Sequence, residues 1–236
     1  LASRDVMPAS RRRRVDCAAA PLARVYGDEM SYPTFDDLPF NKRPDLSPYL
    51  IHLTKNTKRK DDYSAYENLV NILQKGTIWG SGKAGFIRGG KEAACFMDVP
   101  FASLKYVLTP ENMKADDPRY EPYGIIVGKA SGYKRGLRPV LYLSDKEVRQ
   151  LGIPKAEQWR VVRLEQRDSG WVSWVHEREW RCEGDFKLRS TVPAVIVRNL
   201  KYAKRLREQL ADEPKKFKCV PDAILPASMI CQGLLK

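Results

Sequence analysis

The chain has 236 residues, of which 43% are hydrophobic, 10% aromatic and 30% charged. That excludes collagen-like, low-complexity and wholly disordered chains and suits one domain with a sizeable core. Forty-two Lys and Arg against 29 Asp and Glu leave a formal charge of +13, a surface that draws polyanions such as nucleic acid, nucleotides or an acidic partner.

Residues 1–29 hold the Arg11 to Arg14 run and an alanine-rich stretch without sustained amphipathic period, and are expected to be a flexible or non-native leader before a single domain over residues 30–236. Pro33, Pro39, Pro44 and Pro48 suit an extended segment. Tyr49 to Thr54 reads as the first strand. Ser64-Ala65-Tyr66-Glu67 has capping-box form, with Tyr66, Leu69, Val70 and Leu73 at helical spacing and Gly76 as the stop. Thr77 to Trp79 forms a short strand before a loop carrying Gly80, Gly82, Gly85, Gly89 and Gly90. Ala94 to Val99 is a further strand, and Phe101 to Leu108 a helix after Pro100.

The segments Tyr123–Val127, Pro139–Leu143, Trp159–Leu164, Trp171–Cys182 and Ala194–Val197 are strand-like in β-branched and aromatic content. A short helix from Asp145 to Leu151, capped by Ser144 and Glu147, interrupts them. Leu200 to Ala211 is a basic amphipathic helix. This order predicts an α+β fold with a mixed or antiparallel split sheet and few helices.

Few motifs carry chemistry. The glycine-rich loop lacks the spacing of a phosphate-binding loop. Only two histidines exist, His52 and His176, without a second ligand at metal-site spacing, and Cys17, Cys95, Cys182, Cys219 and Cys231 form no Cys-x-x-Cys pair. No metal is expected. His52 and Thr54, two apart on the first strand, share a face with Leu50. If Trp171 to Cys182 is extended, Glu177 and Glu179 share a face with Val175 and Arg181, opposite Trp174, His176, Arg178 and Trp180. Two neighbouring carboxylates near apolar surface raise the proton affinity of one of them; a salt-bridged strand is the alternative. A third cluster, Asp98 with both glutamates, would serve a metal-dependent nuclease.

The order of a His-x-Thr first strand, a helix ending in Leu73-x-x-Gly76, a short strand followed by Ser81 and a late Glu177-x-Glu179 resembles the ADP-ribosyltransferase domain. The resemblance implies that His52 holds the adenosine ribose of NAD, Ser81 lines the nicotinamide pocket, Glu179 contacts the nicotinamide ribose and Glu177 serves the acceptor. Thr54 would help His52 anchor the cofactor, and Trp79 or Trp180 would stack on a ring. Cys95–Leu108, Tyr123–Val127, Pro139–Tyr142 and Glu179–Arg181 are also similar to bacterial abortive phage-infection proteins. The chain departs from the pattern by joining a first-strand His to a Glu-x-Glu end that usually accompanies Arg, and by having no tyrosine in Thr77–Ser81.

These resemblances imply an NAD-dependent ADP-ribosyltransferase-like toxin or phage-defence effector that modifies a macromolecule, with NAD as substrate and an antitoxin as a candidate partner. The rival reading is a non-enzymatic basic module that binds nucleic acid or a cognate protein through Lys187–Lys218, where ten basic residues face three acidic ones. No apolar run reaches the roughly 18 to 20 residues of a membrane span, and none follows the early arginines as a signal peptide requires. A cytoplasmic location without membrane contact is expected.

Overall fold

The structure, a computed structural model, describes residues 43–57, 63–82, 86–113 and 118–232. The expected leader, Cys17, Gly85 and the lysines and arginine at 58–60 lie outside them. Seven strands form the main sheet: β1 (Tyr49–Leu53), β2 (Ala93–Met97), β3 (Gly124–Gly128), β4 (Arg138–Pro139), β5 (Glu179–Glu183), β6 (Ala194–Val197) and β7 (Ile224–Pro226). Their order is β7-β6-β3-β1-β2-β5-β4. Pairing is antiparallel throughout except between β6 and β7. With helices α1 (Ala65–Lys75), α2 (Lys129–Lys134), α3 (Asp145–Gln150), α4 (Leu200–Asp212) and α5 (Ala227–Ile230), this is a mostly antiparallel α+β architecture. No described helix is long and apolar enough to cross a membrane.

Strand alternation gives the sheet two buried faces. On one, Leu50, Phe96, Ile125, Val127, Val195 and Val197 pack with Leu69 and Leu73 of α1 and Leu206 of α4. On the other, Ile51, Met97, Ile126 and Ile196 pack with Leu104, Leu108 and Ala227. Near-continuous apolar strands such as β3 and β6 follow from this double burial.

Helix α1 forms where its capping box predicts. Ser64 accepts from Glu67 N–H at 3.3 Å while the Glu67 carboxylate accepts from Ser64 N–H at 2.8 Å. Gly76 ends it in the left-handed region at φ 64°, where a side chain would be strained.

Several segments depart from the sequence reading. Phe101–Tyr106 is a 3-10 helix, and the Pro139–Leu143 run divides between two sheets. Val140 N–H donates to the Glu179 carbonyl, after which Leu141–Leu143 pairs in parallel with Val161–Arg163. Trp159 belongs to the 3-10 turn Lys155–Arg160 that precedes that strand. Helix α2 carries no propensity signal; a Cβ at its Gly132 would come within 2.7 Å of Leu137 Cδ1, so the Leu137 side chain would have to shift.

The largest departure is Trp171–Cys182, expected as one strand. Gly170–Val172 pairs with Glu165–Arg167, Val175–Glu177 forms a 3-10 turn, and β5 begins only at Glu179. Arg178 makes the break at φ 46°, a conformation unusual for a residue with a Cβ. Glu177 is therefore not a member of Glu179's strand.

Candidate active site

Glu179 opens β5 at 7% exposure, opposite Met97 of β2. Arg181, two residues on and hence on the same face, grips both its oxygens, with Nε to Oε1 at 2.7 Å and Nη2 to Oε2 at 3.0 Å. Arg181 Nη1 also donates to the Trp159 carbonyl at 2.7 Å. Breaking such a buried pair by removing one partner typically costs about 3–5 kcal/mol, whereas removing both is often close to neutral. Glu179 N–H donates to the Tyr142 hydroxyl at 2.9 Å, which fixes the start of the strand.

Glu177 ends the 3-10 turn, and the Glu177 and Arg178 carbonyls accept from Asp98 N–H at 3.3 and 3.2 Å. The Tyr120 hydroxyl donates to Glu177 Oε1. Burial raises the proton affinity of Glu177 above that of an ordinary glutamate; the Tyr120 hydrogen bond opposes this and the neighbouring Glu179 charge adds to it. Burial, then hydrogen bonding to Glu177, likewise keeps the Tyr120 phenol protonated, and burial, then the Glu179 charge, keeps the Cys95 thiol protonated. The arrangement holds one carboxylate ion-paired and fixed beside a second that is readier to take a proton.

An aromatic and cationic rim adjoins Glu177. Arg119 lies 4.1 Å from the Trp174 ring centre, and Trp174 stands 6.4 Å from Phe86 and 6.2 Å from His176. Phe86 is 82% exposed.

The other expected site residues lie elsewhere. Ile51, Met97 and Glu179 are aligned across β1, β2 and β5, so His52, Phe96 and Trp180 form the adjacent row on the opposite face. His52 donates from Nδ1 to the Cys95 carbonyl at 2.8 Å, which leaves Nε2 as the unprotonated nitrogen of the neutral ring. Burial lowers its pKa, against the raising effect of that bond. The Thr54 hydroxyl donates to the Ala65 carbonyl at 2.7 Å, tying β1 to the start of α1. Ser81 bridges Ala93 at the other end of β2, four residues or roughly 13 Å along the strand from Met97. Trp79 is exposed just before it. A single cleft lined by His52, Thr54, Ser81, Trp79 and Glu179 is not assembled.

No family model, curated protein or solved structure matches this chain.

Asp98 also stands apart from the glutamates in role. It is buried, with Lys129 Nζ at 2.9 and 2.8 Å from its two oxygens and Arg178 Nη2 at 3.6 Å. Among the described residues no three or more His, Cys, Asp or Glu gather into a metal site. The acid cluster required by the nuclease reading is not formed, because Asp98 and Glu179 are each held by basic side chains.

The sequence reading missed Tyr120, Tyr142 and Cys95. Cys95 faces Arg181 across the β2–β5 register, a pairing of distant segments that the sequence does not show. Tyr120, in a proline-flanked irregular segment, carries no periodic signal.

Proposed function

We propose that this chain is an NAD-dependent ADP-ribosyltransferase-like enzyme, a toxin or phage-defence effector acting on a macromolecule, with the Glu177–Glu179 pair as its working centre. The observation that carries the reading is the unequal pair itself: Glu179 gripped through both oxygens by Arg181, and Glu177 with raised proton affinity beside it. The sheet order supports it, since only β2 separates the first strand from the strand of the late glutamate.

In this reading Glu179 stabilises the positive charge that develops on the ribose as nicotinamide departs. Arg181 occupies two of the roughly four acceptor positions of the carboxylate, which leaves positions for ribose hydroxyls. Glu177 takes the proton of the attacking acceptor, for which a raised pKa suits it. His52 and Thr54 face away and serve the fold; this replaces the cofactor-anchoring role expected for them.

The test is NAD turnover, with DNA, RNA and protein offered as acceptors. Glu179→Gln should lower turnover by about 10²-fold or more, but it also strands Arg181. The double variant E179Q/R181M removes both charges, so its melting temperature should recover towards the wild type while turnover stays low. The proposal is wrong if the wild type consumes no NAD with any acceptor, or if the folded double variant turns over normally.

A second reading rests on the exposure of Lys201, Lys204, Arg207, Lys215, Lys216 and Lys218 on and after α4. This basic face suits nucleic acid, either as the acceptor of the transferase or as the partner of a non-enzymatic module.

A further inference from the structure

Phe86 combines two unfavourable features. Its side chain is largely in solvent, and its backbone lies at φ 59°, in the left-handed region that a bulky residue seldom enters. The neighbouring chain fixes it there: Ile87 is buried with Ala93 and Trp159, and its N–H donates to the Gly82 carbonyl at 3.3 Å. A phenyl ring held outward against both burial and backbone preference points to a partner for that ring.

Its surroundings indicate which partner. The planes of Phe86 and the half-buried Trp174 are inclined by 31°, and those of Trp174 and the exposed His176 by 32°. Beside these rings stands the exposed guanidinium of Arg119, set against the Trp174 face. Flat aromatic faces next to a guanidinium suit an unpaired base and its phosphate, the base stacking on a ring while the cation meets the backbone. A cationic ligand fits less well, because Arg119 already takes the place over Trp174 that such a ligand would occupy, and a net charge of +13 draws a polyanion instead. Bases inside a duplex are stacked on one another, so a single strand is what can offer a free face.

We propose that Phe86, Trp174 and Arg119 form a binding site for single-stranded nucleic acid, with an unpaired base stacked on Phe86 and a neighbouring phosphate met by Arg119. The inference goes beyond the transferase reading and is tested without NAD, so the two stand or fall separately. Fluorescence anisotropy on the full chain would use labelled oligothymidylate, an abasic strand of the same length and charge, and thymidine monophosphate as competitor. The abasic strand should bind about tenfold more weakly than oligothymidylate or worse, a difference of about 1.4 kcal/mol, and the monophosphate should compete poorly. Phe86→Leu keeps an apolar side chain at an exposed position, so it should fold, lose about tenfold in affinity for oligothymidylate and bind the abasic strand unchanged. Phe86→Trp restores a ring and should bind oligothymidylate as the wild type does. Arg119→Gln should weaken both strands, since it removes a phosphate contact. The proposal is overturned if oligothymidylate does not bind or binds no better than the abasic strand, or if the monophosphate binds as tightly as the strand. It is equally overturned if Phe86→Leu alters neither strand or both alike, if Phe86→Trp is as weak as Phe86→Leu, or if Arg119→Gln changes nothing.

Discussion

Glu177 is acidic yet held where its charge is disfavoured, and the sign of the resulting pH dependence can be worked out. A carboxyl with a raised pKa binds more protons folded than unfolded, so its contribution falls as pH rises from the unfolded glutamate value, about 4.3, through the raised folded one. Glu177→Gln removes that penalty. The variant's stability relative to wild type should therefore increase with pH across this window and level off above it, as read by thermal melts. A flat difference would show that Tyr120 fully compensates the buried charge. His52 supplies the converse case. His52→Ala leaves the Cys95 carbonyl short of a donor, so stability should fall by about 1–3 kcal/mol, while any NAD affinity, also measured by calorimetry, should not change. A selective loss of NAD affinity would return His52 to the site.

Elements were legible where local chemistry decides them. The capping boxes at Ser64 and Ser144 and the Gly76 stop are complete in a few residues, and α1 and α3 start at the predicted positions. Ser64→Ala should cost about 1 kcal/mol through loss of the cap, measured by denaturant unfolding. The break before β5 was not legible, because the left-handed position is filled by Arg178 rather than Gly or Asn, the residues that announce it. Tertiary contacts maintain that conformation: Asp98 N–H donates to the Glu177 and Arg178 carbonyls, Arg178 pairs with the Asp98 carboxylate, and Arg178 Nη1 donates to the Asp45 carbonyl. The alternation beyond the break was correct, so Glu179 and Arg181 share a face as expected. The spacing of His52 from Glu179 could not reveal that their faces are opposite, since that depends on the β1–β2–β5 register, a relation between distant segments.

At the scale of the whole molecule the net charge of +13 has a testable location. Lys201, Lys204, Arg205 and Arg207 are all exposed on α4; Arg205 also lies 4.7 Å from the Tyr66 ring centre and so has a packing role, which leaves the other three for the test. If this face binds nucleic acid, affinity should fall steeply with salt, and replacing these three by Ala should flatten the logarithmic slope by about 0.7–0.9 for each phosphate that is no longer neutralised. A slope unaltered in the triple variant would assign polyanion binding to another surface. The sheet itself sets a limit on assembly. Its two margins are β4, two residues long, and β7, three residues long, and each ends in a proline, Pro139 and Pro226. A proline offers no N–H to an incoming strand, and so short a rim gives little backbone to template one. A protein this rich in β-structure thus carries, at both margins of this sheet, a guard against growing, chain upon chain, into a continuous ribbon.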